Sequence, residues 1–514
     1  ETLGKMSHDK VSFGTGLAHW YRKRAQCAAR GEVYTIVQIH LGKTRVQCPV
    51  RGEKARRKGS AALLQRHFYM RKGFLRGVLA ITLPIALQNV ISLGVNLMDT
   101  VMLGQLGDLA ITAANLGGQP FSILNIFGFG FASGAIVLIS QYWGRGDTES
   151  ICQLFSLSLR SAVCAAAVFT AVCSLFPEAI LSLFSSDAAV IEAGAQYLRV
   201  LSASFIFFSF SNCYIMCLRG VEQVKISLFV YGTSFFVNVF FNYCFIFGNL
   251  GMPELGVRGA AIGTVIARVY ECAVCIFYMY RIEKKVRFTP RRLFGLRTHL
   301  AGDYVRNCLP VTGNELLWGI GLSVESAIIG RIGSQFVAAS SIATVVMNII
   351  TVFIFGMAGA TAVTIGRTIG QDRREDAARM ANTLLALSVA LGVALGAVIL
   401  LIRTPVLTLF AVSDGARDIA YQLLTILGFL APLQAFSCNL LVGVLRGGGD
   451  VTTNFILDCG TMWVIAIPLG ALSGFVWGLD PALVFLLMRA DYVVKFVLGL
   501  LRVHSGKWIR VVTR

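Results

Sequence analysis

The sequence predicts an all-α polytopic membrane protein with twelve transmembrane helices in two six-helix lobes, related by a pseudo-twofold axis along the membrane normal. Three observations predict this fold: the composition, the spacing of the apolar segments and an internal repeat. Of the 514 residues, 55% are apolar and only 14% are charged, whereas soluble domains average about 45–50% apolar and about 25% charged residues. This composition excludes a soluble globular protein, a disordered chain and a disulfide scaffold.

The net charge of +19 is concentrated at the start of the chain. Residues 1–72 hold sixteen Lys and Arg against four acids, a net charge of +12, and the remainder of the chain contributes +7. A basic tail can bind nucleic acid or anionic lipid, but MRKGFLRGVLAITLP begins at Met70 like the start of a membrane protein. We therefore interpret residues 1–69 as a basic leader that is non-native or disordered, and we expect no nucleic-acid partner.

Twelve apolar segments approach or exceed the length of about 20 residues that a helix needs to cross a bilayer. The predicted helices are roughly 75–103, 112–142, 151–176, 188–218, 224–248, 257–280, 304–330, 335–366, 376–402, 416–445, 451–474 and 482–501. One long basic segment, RIEKKVRFTPRRLFGLRTH, separates the first six helices from the last six. We expect an amino-terminal lobe at 70–280, a basic loop at 281–302, a carboxy-terminal lobe at 303–501 and a tail at 502–514.

The two halves of the chain repeat each other. A shift of 226 residues aligns 83–144 with 309–370 at thirteen identical positions, including Pro84 with Pro310 and Gly144 with Gly370. At a shift of 227, CLRG (217–220) aligns with VLRG (444–447). Since each half has an even number of crossings, the repeats share one orientation and are related by an axis along the membrane normal.

The positive-inside rule predicts the orientation of the protein. The even-numbered loops hold most of the Lys and Arg, among them Arg219, Arg446 and the seven bases of the central loop. We therefore expect a multi-pass plasma (inner) membrane protein with both termini in the cytoplasm. We also expect a monomer whose partners are membrane lipid and a small amphipathic substrate.

Polar side chains inside apolar helices are costly and are functional by default. Asp99 lies near the outer end of the first predicted helix, and Asn238 and Asn242 lie on one face of the fifth at a spacing of four residues. Such groups could hold a proton or a cation, but an interfacial Asp and interhelical amide hydrogen bonds explain them equally well. Thr264, in the sixth helix, could equally be a packing residue.

The second half offers different candidates. Glu315, Glu325 and Asp458 are its acids in apolar surroundings, and Glu325 aligns with Asp99 in the repeat. Pro84 and Pro310 predict helix kinks that would suit a gated cleft. All six histidines lie outside the predicted helices, so we expect no metal site, no cofactor and no enzymatic activity.

Several of these segments resemble the multidrug and toxin extrusion (MATE) transporters. They are LPIALQNVISLGVNLMDTVMLGQLG, AIVLISQYWGRGD, NVFFNYCFIFG, GVRGAAIGTV, NELLWGIG and VLRGGGD. The resemblance covers about 74–500, in order and in both halves. It implies a secondary active antiporter that exports amphipathic, often cationic, drugs or toxins in exchange for H⁺ or Na⁺ by alternating access.

The resemblance also implies roles for the polar residues. Asp99, Asn238, Asn242 and Thr264 match the family's ion site in the amino-terminal lobe. One branch of the family has a seventh-helix Glu where this chain has Trp318, so Glu315, Glu325 and Asp458 are only possible substrate or proton sites. Two alternatives stay open: a lipid-linked saccharide flippase of the same superfamily, and a membrane scaffold that transports nothing.

Overall fold

The computed structural model describes residues 35–41, 44–50, 68–69, 73–288, 299–410 and 412–513. The chain divides into two compact units at Met70. In the first unit, β1 (Thr35–Leu41) and β2 (Thr44–Val50) form an antiparallel hairpin. We expected residues 1–69 to be a non-native or disordered leader, and most of these residues lie outside the described ranges. Much of the central basic loop lies outside them as well.

The second unit is helical throughout its described length apart from short turns. The helices of its first repeat are α1 (Phe74–Gly104), α2 (Asp108–Gly117), α3 (Gln119–Arg145), α4 (Thr148–Leu175), α5 (Pro177–Leu181), α6 (Ala188–Leu201), α7 (Ser204–Gly220), α8 (Lys225–Phe247) and α9 (Val257–Arg281). Those of the second are α10 (Ala301–Ile332), α11 (Ser334–Gly370), α12 (Arg374–Leu407), α13 (Asp414–Cys438), α14 (Val451–Thr461), α15 (Ile467–Ala471), α16 (Pro481–Met488) and α17 (Asp491–His504).

Wider π-helical turns extend two of these helices. Asn439–Leu445 continues α13, while Met462–Ala466 and Leu472–Val476 flank α15. The chain from α14 through α15 is therefore one helical segment, Val451–Val476. With these extensions the helices follow the predicted boundaries within a few residues.

Nine helices in the described part of the chain are long and apolar enough to cross a membrane. A tenth crossing is the pair α6 and α7, which bend by 53° at the break between them. The remaining two predicted spans are α10, which is long but contains several charged residues, and the short pair α16 and α17. α10 holds Glu315 and Glu325, which form ion pairs, whereas α16 and α17 are 8 and 14 residues long and are each too short to cross a membrane alone.

Local sequence signals explain several helix ends. The Asp147 side chain accepts a hydrogen bond from the backbone N–H of Ser150 and so caps α4, and Asp187 caps α6 in the same way. Gly146 ends α3 in the left-handed conformation, at φ 77°. The turns between spans are therefore short and well defined.

The prolines do not divide their helices. Pro84 lies inside the 31-residue helix α1, and Pro310 lies inside the 32-residue helix α10. A bend of 53° separates α6 from α7, where no proline occurs. A neighbouring helix can compensate the hydrogen bond that a proline removes, so the helix continues.

The lobes meet through repeat-related helices, α1 against α11 and α3 against α10. Glycines permit the close approach: Gly130 and Gly134 of α3 contact Thr312 and Cys308 of α10, and Gly356 of α11 contacts α1. Since the α1–α11 and α3–α10 contacts exchange under the repeat, this pairing agrees with a pseudo-twofold relation between the lobes.

Candidate functional site

Three of the four first-lobe candidates, Asp99, Asn238 and Asn242, form one hydrogen-bonded cluster. Asn242 Nδ2 donates to Asp99 Oδ1 at 2.6 Å and lies 3.4 Å from Asn238 Oδ1. Both asparagines are buried, at 0% and 2% exposure for Asn242 and Asn238. The four-residue spacing on α8 therefore does present both amides to α1, where Asp99 lies.

One oxygen of this cluster has no hydrogen-bond donor. Asn242 Oδ1 is buried and has no partner among the described residues. It points into the gap left by Gly263 of α9, where a Cβ atom would overlap it. A buried acceptor without a donor costs free energy. This oxygen, in the residue that contacts the Asp99 carboxylate, is therefore available to a ligand of the cluster.

The cluster opens onto a cavity of about 550 Å³ whose lining residues all belong to the first lobe. Asp99, Asn238 and Thr264 line it, together with further amides along the face of α1. Within the described residues, no hydrogen bond joins the Thr264 hydroxyl to Asp99, so Thr264 contributes to the wall of the cavity. The cavity volume falls in the range of small-molecule sites.

Two charged residues that the sequence did not single out also line this cavity. Arg268 Nη1 binds both oxygens of Glu271, at 2.8 and 2.9 Å, and the Ser234 hydroxyl donates to the same carboxylate at 2.7 Å. Arg268 also lies over the ring of Phe208, at 4.9 Å. Glu271 lies well inside α9 and is 2% exposed.

Arg219 and Arg446 are not loop residues. Arg219 lies at the end of α7 and lines the cavity, where its Nη2 donates to Gln88 Oε1 at 2.6 Å. Arg446 is 2% exposed. Assigning them to cytoplasmic loops was therefore wrong, since each continues its helix and reaches inward.

The second-lobe acids are ion-paired. Glu315 pairs with Arg446 at 2.6 Å, and Glu325 pairs with Arg489 at 3.0 Å. Asp458 pairs with Lys495 at 2.9 Å, and Lys495 also binds Asp491 at 2.8 Å. The structure thus brings each of the three candidates to a base, although Asp458 shares Lys495 with Asp491. Repeat-related Asp99 and Glu325 therefore differ in their partners, an amide for the first and a guanidinium for the second.

A larger cavity, of about 720 Å³, lies where α1, α8, α9 and α11 begin or end. Lys225, Lys284 and Lys285 line it with Glu222, which pairs with Arg367 at 2.7 Å. It lacks a buried acid or amide cluster, so the first-lobe cavity is the better candidate site.

The chemistry of the first-lobe cavity is binding rather than bond making. Among the described residues no group of His, Cys, Asp and Glu could hold a metal ion. The cluster offers a carboxylate and amide oxygens, the ligands that hard cations prefer and groups that can also share a proton. A polar cavity inside one of two helical repeats defines a multi-pass membrane transport protein.

The chain belongs to the MatE family. The family model matches residues 84–244 and again 312–472, once in each repeat. The resemblance stated from the motifs is thereby confirmed. Because this is a family of transporters, the expectations of no enzymatic activity and no cofactor are confirmed with it.

Curated relatives match most of the chain. A probable multidrug resistance protein NorM from Thermotoga maritima is 25% identical over 433 residues, 84% of this chain and 92% of the relative. Another probable NorM, from Rhizobium meliloti, is 28% identical over 437 residues, 80% of this chain and 92% of the relative.

Solved structures share the fold. A MOP superfamily transporter from Pyrococcus furiosus superposes with a TM-score of 0.75 at 19% identity, covering 84% of this chain and 96% of its own. An outward-facing multidrug resistance MATE family transporter superposes with a TM-score of 0.74 at 19% identity, covering 85% and 99%. The predicted all-helical, two-lobed membrane fold with twelve helices is confirmed.

Proposed function

We propose that this protein is a secondary active antiporter that exports amphipathic drugs or toxins in exchange for H⁺ or Na⁺. The observation that supports it is the Asp99–Asn242–Asn238 cluster at the wall of a 550 Å³ cavity in the first lobe. The names of the curated relatives, probable multidrug resistance proteins, support the same substrate class.

Asp99 is the coupling residue in this proposal. A carboxylate in an apolar lobe is costly when charged, and binding of H⁺ or Na⁺ removes that charge. Asn238 and Asn242 supply amide oxygens to the ion, and Thr264 completes the wall. Since Asp99 and Pro84 share α1, neutralisation alters the packing of this helix and shifts the equilibrium between inward-open and outward-open states.

The second lobe has a structural role in this proposal. Glu315 and Glu325 each have a basic partner, and Asp458 shares Lys495 with Asp491. Among the described residues that line the first-lobe cavity, Asp99 is the acid without a salt bridge, which fits one monovalent charge per cycle.

We further propose a monomer in the plasma (inner) membrane, surrounded by lipid, with both termini cytoplasmic. The basic loop 281–302 and the tail 502–514 then lie on the cytoplasmic side, and lobes 70–280 and 303–501 exchange access around the cleft. Residues 1–69 are not needed for transport.

The alternatives have less support. A lipid-linked saccharide flippase needs an arginine-rich cleft, whereas the first-lobe cavity contains Arg219 and Arg268, and Glu271 neutralises the second. A scaffold that transports nothing has no need for a buried carboxylate with two amides on a facing helix.

The experiment is efflux of ethidium from proteoliposomes under pH and Na⁺ gradients imposed separately. Wild-type protein should move ethidium under at least one gradient, and Asp99→Asn should reduce gradient-driven movement to the level of protein-free liposomes. Asp108→Asn, at an exposed acid outside the cavity, is the matched control and should behave as wild type. Normal efflux by Asp99→Asn would refute the coupling role, and no movement under either gradient would favour the flippase or the scaffold.

A further inference from the structure

The charges around the first-lobe cavity do not all cancel locally. Arg268 and Glu271 form a bidentate ion pair in its wall. Two charged residues remain: Asp99, which is hydrogen-bonded to an amide, and Arg219, which is hydrogen-bonded to the amide of Gln88. Among the described residues, one acid and one base of the cavity thus form no salt bridge within 4 Å.

These two charges lie at opposite ends of the cavity, separated along the axis of α1. Gln88, which holds the Arg219 guanidinium, is eleven residues before Asp99 on the same continuous helix. At a rise of 1.5 Å per residue, their backbones are about 16 Å apart along α1. Asn89, Ser92 and Asn96 line the cavity between them, so the wall is polar along this path.

Arg219 has unused hydrogen-bonding capacity. A guanidinium has five N–H donors, and the described structure gives Arg219 one acceptor, Gln88 Oε1. Its Nε is buried and has no partner. A partly buried guanidinium without an anionic partner costs free energy, and a bound anion would remove that cost.

The second repeat has an arginine at the equivalent position, and that arginine is paired with a glutamate. Arg446 aligns with Arg219 in the repeat, and it binds Glu315 at 2.6 Å. The position equivalent to Glu315 in the first repeat is Asn89, which is neutral. The first lobe thus retains the arginine of the repeat and lacks its counter-ion, at the place where the cavity lies.

We infer that Arg219 is a specificity-determining residue of this cavity: it binds the carboxylate of a zwitterionic amphipath whose cationic amine lies toward Asp99. The opposite charges at the two ends of the cavity are complementary to such a molecule, and a guanidinium binds a carboxylate with fork geometry. This inference rests on the proposed transport function and assigns a residue to the recognition of its substrates.

Two dyes that differ by one methyl group test it. Rhodamine 110 has a free carboxylate and is zwitterionic, whereas rhodamine 123 is its methyl ester and is a cation. Binding of each dye to purified protein is measured by fluorescence anisotropy, and efflux of each from proteoliposomes is measured separately. Arg219→Gln should weaken binding of rhodamine 110 by about tenfold or more, the effect of losing a charge-assisted hydrogen bond, and should change binding of rhodamine 123 much less.

Asn89→Glu provides a second test that keeps the arginine. It gives Arg219 the counter-ion that Arg446 has in the other repeat, and it should also weaken rhodamine 110 selectively. Arg258→Gln removes an exposed positive charge outside the cavity and serves as the control for net charge. Equal effects on both dyes, or no effect of either cavity variant, would overturn the inference.

The two proposals fail in different ways. If wild-type protein binds rhodamine 110 through Arg219 but moves neither dye under any gradient, the transport function is wrong and the anion site stands. If rhodamine 123 is exported but rhodamine 110 does not bind, the transport function stands and the anion site is wrong.

Discussion

Gly144 and Gly370, which occupy the same position in the two repeats, pack against each other across the boundary between the lobes. A Cβ atom on Gly144 would lie 2.9 Å from the Cα atom of Gly370. Ser140 and Gly366, a second repeat-related pair, are also in contact. A residue that touches its own counterpart must lie close to the axis that relates them, so the pseudo-twofold axis passes between α3 and α11 at this end.

This contact predicts that Gly144→Val separates the lobes at the Gly144 end. Since a side chain here meets backbone atoms, the neighbouring helix must move. We expect loss of substrate efflux and a longer distance between spin labels on Thr148→Cys and Gln371→Cys, which lie on opposite lobes. Gly128→Val, on the same helix but with open space around it, is the control. An unchanged label distance in Gly144→Val would contradict the expectation.

A second prediction concerns the position of Asn242. Gly263→Ala places a Cβ atom where Asn242 Oδ1 lies, so the amide must leave Asp99 or α9 must shift. We expect ion-driven ethidium efflux to fall about tenfold or more, the effect of disturbing a hydrogen bond to a charged group. Gly232→Ala, whose nearest neighbour would be at 3.9 Å, should retain wild-type efflux. Equal efflux by the two variants would show that the Asn242–Asp99 contact is dispensable.

A third prediction separates structure from coupling in the second lobe. Glu325→Gln leaves the Arg489 guanidinium, which is 20% exposed, without its anion, and removal of one partner of a buried pair costs up to about 3–5 kcal/mol of unfolding free energy. The double variant Glu325→Leu with Arg489→Met should recover most of this stability, measured by thermal unfolding in detergent. It should also retain efflux, because the pair has no ion-binding role in the proposed mechanism. Loss of efflux in a stable double variant would place an ion site in the second lobe.

The sequence predicts the parts of the site that depend on spacing along one helix. Asn238 and Asn242 share a face because they are four residues apart, and Asp99 was identifiable as an acid inside an apolar segment. Their contact needed only that α1 and α8 be neighbours. The repeat likewise anticipated the equivalence of Gly144 and Gly370.

Other features depend on packing that no local pattern encodes. Arg219 lies at the end of an apolar segment, where charged residues usually face water, whereas Glu271 lies inside one. Tertiary packing turns both toward the cavity. The partners Glu315 and Arg446 are separated by 131 residues, so their ion pair could not be inferred from either segment alone. Pro84 and Pro310 lie inside continuous helices, and the kinks expected at them stay a prediction, since a neighbouring helix can compensate the hydrogen bond that a proline removes.

A final prediction concerns the carboxy-terminal tail, which bridges the lobes at the Gly144 end. Gln141 of α3 donates to the carbonyl oxygen of Arg510 and accepts from the N–H of Val512, both at 3.0 Å. Asp450 of the second lobe binds Arg510 at 3.0 Å, and Trp508 is fully buried. The tail is therefore tied to both lobes, and a state that separates them here must break the Gln141 contacts.

Gln141→Ala should release the tail without disturbing the rest of the fold. Loss of two buried hydrogen bonds costs about 1–3 kcal/mol, which raises the released fraction about 5- to 150-fold. Trypsin should then cleave faster after Lys507 and Arg510, measured by intact mass of the purified protein over time. Gln105→Ala, at an exposed position away from the tail, should be cleaved at the wild-type rate. Equal cleavage of Gln141→Ala and wild type would mean that the ion pairs of Asp450 hold the tail without Gln141.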